Sequence, residues 1–122
     1  GDVYKRQDHE RFDREVLSPL CHGQTAVYRP WQCRSGCFGP AVPVEPGPLT
    51  VVEGSYSLHP SLRDRYQLRV WVEAPWGVRR TRLERRDPGC VDRFLNIWVP
   101  LEDHYFQACH VKDCCQIHCS GQ

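Results

Sequence analysis

Apolar residues fall along the chain in short runs whose spacing predicts its elements. From residue 9 to 21, Phe12, Val16, Leu17 and Leu20 share one side at helical spacing, so a helix is predicted there, with Pro19 limiting its length. Leu49-Thr50-Val51-Val52 is a β-branched run between Pro48 and Gly54, the pattern of a strand buried on both faces of a parallel sheet. Leu68-Arg69-Val70-Trp71-Val72-Glu73-Ala74 reads as another strand. Pro75 then suits a first helical position, and the helix runs to about Asp87, where Pro88-Gly89 stop it. Val91, Phe94, Leu95, Trp98, Leu101, Tyr105 and Phe106 recur at helical spacing between Cys90 and Gln107, with a kink expected at Pro100. That aromatic stripe reads as core. Cys114 to Cys119 suits a last strand. Pro30 to Pro48, rich in Pro and Gly, reads as a long connection with a short hairpin near Phe38-Gly39-Pro40. Strands alternating with helices, without repeats, predict one α/β unit with a parallel sheet flanked by helices.

The pattern also places chemistry. Glu53 closes the Leu49–Val52 run, and the carboxyl ends of strands are where open α/β sheets bind ligands, so Glu53 is positioned for a cation or a phosphate site. Gly54 permits the backbone to turn there. On the predicted helix after Pro75, Arg79, Arg82 and Arg86 stand at i, i+3 and i+7, which is one face. Arg80 and Arg85 make the segment basic all round, so a solvated face is one reading; a clamp for phosphate oxygens, which guanidinium meets with two parallel donors, is the other. Glu53 favours the clamp. His59 before Pro60 reads as a turn residue near the pocket rim. Tyr28 and Trp31 could stack on a base, or pack beside their prolines.

Charge narrows the partners. Lys plus Arg number 16 and Asp plus Glu 15, a net charge of +1, so no bulk field draws the chain to nucleic acid or membrane. No apolar run approaches the ~20 residues of a membrane span, and no signal-peptide core stands near the start. A cytoplasmic protein is the expectation. The eight cysteines allow three readings. Cys33 and Cys37 together with Cys109, His110, Cys114, Cys115, His118 and Cys119 supply donors for zinc, although no C-x-x-C pair occurs and neighbouring Cys114 and Cys115 do not share one strand or helix face. A disulfide framework is a second reading, at a cysteine content below the ~8 to 10% of such scaffolds. Thiols packing as small apolar residues are the preferred third.

Several blocks in order resemble the uridine kinase and phosphoribulokinase branch of the P-loop kinases, and more closely its bacterial uridine kinase-like members. They are Glu10-Arg11-Phe12-x-x-Glu15-Val16-Leu17-x-Pro19-Leu20, Tyr28-Arg29-Pro30-Trp31-x-Cys33-Arg34-x-Gly36, Val51-Val52-Glu53-Gly54-Ser55-Tyr56-Ser57-Leu58-His59-Pro60 and Tyr66-x-Leu68-Arg69-Val70. Arg79-x-x-Arg82-x-x-x-Arg86-Asp87 and Arg93-Phe94-Leu95-Asn96-x-Trp98-x-Pro100-Leu101-Glu102-x-x-Tyr105-Phe106 complete the set. The likeness covers about Asp8 to Cys119, and implies that 8–122 is the C-terminal part of a P-loop nucleoside kinase domain. The family's G-x-x-x-x-G-K-[ST] loop does not occur here, so its first strands and that loop are expected before residue 1. Asp2 to Gln7 is similar to what a transposon-end sequencing adapter encodes in frame, and residues 1–7 are read as foreign.

The resemblance implies transfer of the γ-phosphoryl of ATP to a nucleoside 5′-hydroxyl, uridine or cytidine, with this fragment inactive alone. It gives Arg79, Arg82 and Arg86 catalytic roles toward phosphate and transition-state charge. Glu53 is implied for Mg²⁺ through water, and Tyr28, Trp31, Arg34, Tyr56 and His59 for the acceptor. A histidine common in the family's acceptor segment is replaced here by the Gln32-Cys33 neighbourhood, which leaves the acceptor open: pantothenate, a phosphosugar or another small alcohol is an alternative. A non-catalytic zinc-binding module is a further one.

Overall fold

The computed structural model describes residues 9–32 and 35–121. They fall into two compact units, one running to Ser57 and including Ser61–Arg65, the other made of Leu58–Pro60 with Tyr66 onward. Residues 1–7, read as foreign, lie outside the described residues, as do Cys33 and Arg34.

The first unit opens with α1, residues 9–21. Pro19 has no N–H to return to Glu15, and the ladder upstream widens accordingly: Asp13–Leu17 forms a π turn, with the Ser18 N–H bonded to the Asp13 carbonyl. The expected limit at Pro19 thus takes the form of a widened turn, and the helix continues to Cys21. It ends on Gly23 at φ +70°, where Gln24 N donates to Pro19 O (2.9 Å) and Gly23 N to Leu20 O (3.1 Å), both bonds of a Schellman stop. Two antiparallel ribbons follow. β1 (Ala26–Tyr28) pairs with β4 (Val42–Val44), and between them β2 (Trp31–Gln32) pairs with β3 (Cys37–Phe38), setting Trp31 opposite Phe38. The Pro30–Pro48 connection is therefore more ordered than its composition suggests. Leu17, Ala26 and Leu62 are the buried apolar residues of this unit. Arg65 clamps Asp13 with Nε and Nη2 at 2.9 and 3.1 Å, fastening the Arg63–Arg65 turn to α1.

The strand predicted at Leu49–Val52 is absent from this unit. The run is irregular and outside any strand, with Leu49 81% and Val51 77% exposed. β-branched residues favour extended backbone, yet a strand also needs a neighbour, and Pro43, Pro46 and Pro48 precede the run with residues that cannot donate to a ladder.

The second unit contains the parallel element. β5 (Val70–Glu73) runs beside β6 (Ile117–Ser120), with Val70 opposite Ile117 and Glu73 opposite Ser120. The crossover carries α2 (Trp76–Arg86), where Pro75 caps the helix from outside, and α3, residues 91–108. In α3 the kink expected at Pro100 is again a π turn, Phe94–Trp98, ending two residues before the proline as in α1. The apolar stripe of α3 is only partly core. Phe106 packs edge-on against Trp71 at 4.9 Å and Tyr105 stacks on His59 at 6.2 Å, whereas Trp98 and Leu101 are exposed. Val111 and Cys115 are buried. The described residues thus form a mixed α/β structure of three helices and three two-stranded sheets. One parallel pair stands where a helix-flanked parallel sheet was expected, and its strands are largely exposed.

Candidate functional site

The carboxyl ends of β5 and β6 enclose an open hollow of about 440 Å³, lined by Glu73, Ala74, Pro75, His118, Cys119 and Ser120. Such a position is the general ligand side of a parallel pair. Glu73 is fixed there by Trp71 Nε1 at 3.1 Å and Lys112 Nζ at 3.2 and 3.4 Å. The indole N–H, and then the ammonium, hold its carboxyl below the usual value. His118 Nε2 lies 2.9 Å from the Lys112 carbonyl. Of these lining residues, the sequence singled out His118 and Cys119 as zinc donors and none for a phosphate or acceptor site. The signal was present for Glu73, a carboxylate at the end of the predicted 68–74 strand as Glu53 is at the end of the 49–52 run.

α2 leaves from the same rim. Arg79 N donates to the Pro75 carbonyl at 3.1 Å, and the Arg79 guanidinium lies 5.1 Å from the Trp76 ring. At about 100° per residue, Arg79, Arg82 and Arg86 fall within about 60° of arc, so the helix carries the shared arginine face that the spacing predicts. Arg82 and Arg86 are exposed. Arg80 instead points its Nε at Glu84 Oε1, 3.1 Å away. Arg80 thus holds an intrahelical ion pair, while Arg79, Arg82 and Arg86 share one face.

The remaining predicted residues divide between the units. Tyr28 closes β1, half-buried; Trp31 is 54% exposed and meets Phe38 edge-on at 5.2 Å. Tyr56 is half-buried in the turn after Gly54, whose φ is +147°, so the turn assigned to this glycine forms. Glu53 is exposed in coil before it, without the strand end that motivated its assignment. Arg34 lies outside the described residues. His59 belongs to the second unit, in ring contact with Tyr105.

A single exposed carboxylate such as Glu53 fits one water-mediated place on Mg²⁺, an ion that keeps several waters. Among the described residues no group of three or more His, Cys, Asp or Glu side chains is arranged to hold a metal, and the seven described cysteines are thiols outside any disulfide. No described helix is long and apolar enough to cross a membrane. No protein-family model matches this chain, and no curated protein matches it significantly.

Proposed function

We propose that this chain is the C-terminal part of a cytoplasmic ATP-dependent kinase of the uridine kinase type, which passes the γ-phosphoryl of ATP to the 5′-hydroxyl of uridine or cytidine. The observation that carries the reading is the arginine face of α2, a helix that starts immediately after a strand of a parallel pair, at the rim of the hollow at that pair's carboxyl ends. Phosphoryl transfer asks little covalent chemistry of the protein. It asks for donors that hold phosphate oxygens and meet the charge that spreads over them.

In this reading Arg79, Arg82 and Arg86 supply those donors. Packing against Trp76 limits the freedom of Arg79, so less order has to be imposed when it binds an oxygen. Arg82 is exposed, so an anion can reach it from solvent, and Arg86 is exposed on the same face. Mg²⁺ would neutralise phosphate charge, and Glu53 is proposed to hold it through water on the resemblance of its segment. Tyr28, Trp31, Arg34, Tyr56 and His59 are proposed for the acceptor on the resemblance of their segments. The phosphate-binding loop is proposed to precede residue 1.

The test is an acceptor panel with the complete reading frame, following ADP release at saturating ATP and Mg²⁺. Turnover with uridine or cytidine well above that with pantothenate or a phosphosugar is expected. Preference for one of the latter would move the acceptor while keeping the class, and no ADP release with any acceptor would overturn the kinase reading.

A further inference from the structure

Cys114 and Cys115 are neighbours in sequence, and on a regular strand or helix their side chains diverge. Here the chain changes conformation between them. Lys112–Cys114 is a single tight turn, and Cys115 leaves it in extended backbone at φ −93°, ψ 133°. The change brings both thiols to one acceptor: Cys114 Sγ donates to the Val111 carbonyl at 3.0 Å and Cys115 Sγ to the same oxygen at 3.3 Å. The two sulfurs are therefore no more than about 6.3 Å apart, the sum of those contacts. The pair thus converges without sharing a strand or helix face.

We propose that Cys114 and Cys115 form a two-thiolate site for a soft, two-coordinate monovalent ion of the Cu(I) class. Thiolates select such ions over harder ones. Zinc requires about four ligands, and among the described residues no third or fourth donor completes a set around this pair. The surroundings suit a small soft ion. Val111 is 2% and Cys115 8% exposed, so one sulfur sits among packed atoms, while half-buried Cys114 gives access from solvent. Two thiolates and one monovalent ion carry a net charge of −1. Arg69 lies beside them, its Nε donating to the Cys114 carbonyl at 2.7 Å, and its guanidinium offsets that charge. On binding, two S–H bonds release their protons and two sulfur–metal bonds form, with no change of oxidation state, so affinity rises with pH. The proposal is independent of the kinase reading.

The test uses the 122-residue chain, fully reduced with a phosphine under anaerobic conditions and titrated with Cu(I) against a chromogenic Cu(I) chelator. One tightly held Cu(I) per chain is expected, with X-ray absorption showing two sulfur neighbours. Cys114→Ser and Cys115→Ser should each weaken binding beyond the roughly 10- to 100-fold that outer-shell partners account for. Cys21→Ser and Cys37→Ser, at exposed thiols elsewhere, should leave it unchanged. Circular dichroism guards against misfolding at buried Cys115, and Cys114→Ser carries the test if that variant unfolds. Equal Cu(I) affinity in Cys114→Ser, three or more sulfur neighbours, or tighter capture of Zn²⁺ by these thiols would each overturn the proposal.

Discussion

Replacing Arg82 by alanine in the proposed full-length kinase is expected to lower kcat by about 10²- to 10³-fold while acceptor KM stays within about threefold. Arg82 is exposed on the α2 face shared with Arg79 and Arg86, and among the described residues it has no ion-pair partner to absorb its charge. A donor that meets charge developing during transfer acts on the transition state more than on bound substrate, so its loss appears in turnover. Arg82→Lys should recover only part of the rate, since an ammonium keeps the charge without the two-pronged geometry. Arg80→Ala is the internal control, because Arg80 is engaged with Glu84 on the same helix. Near-normal turnover in Arg82→Ala, measured by steady-state kinetics, would return the face to simple solvation.

The second large effect concerns stability. Leu62→Ala is expected to destabilise the first unit by roughly 2 to 5 kcal/mol, the range for truncating a packed leucine. Leu62 is 2% exposed, and among the described residues of that unit Leu17 and Ala26 are the other buried apolar side chains, so the loss is a large share of a domain stability of about 5 to 15 kcal/mol. Urea unfolding followed by tryptophan fluorescence, which includes Trp31, reads the shift. Leu49→Ala, at an 81% exposed position, should stay within about 0.5 kcal/mol of the parent. Equal effects from the two substitutions would mean that the core has been misplaced.

What was legible in the sequence follows from how local each signal is. The three helices were placed correctly because periodicity, Pro75 and the Pro88-Gly89 stop act over a few residues. The arginine face came with them. The strand at Leu49–Val52 failed because pairing depends on a partner that the run cannot specify, and the Glu53 assignment lost its structural support with it. The π turns before Pro19 and Pro100 were visible only as a limit and a kink, since the sequence marks the missing donor and not how the ladder accommodates it. The convergence of Cys114 and Cys115 on Val111 arises where a tight turn meets extended backbone, a junction that no spacing rule captures.

The central claim, that the α2 arginine face binds phosphate, is tested most directly by following arginine side-chain N–H resonances of the chain during titration with inorganic triphosphate. Arg79, Arg82 and Arg86 are predicted to shift together along one saturation curve, while Arg80 and Arg85 on the same helix move little. Parallel shifts at all five arginines, which bulk charge alone would produce, or no shift at the three, would contradict the account.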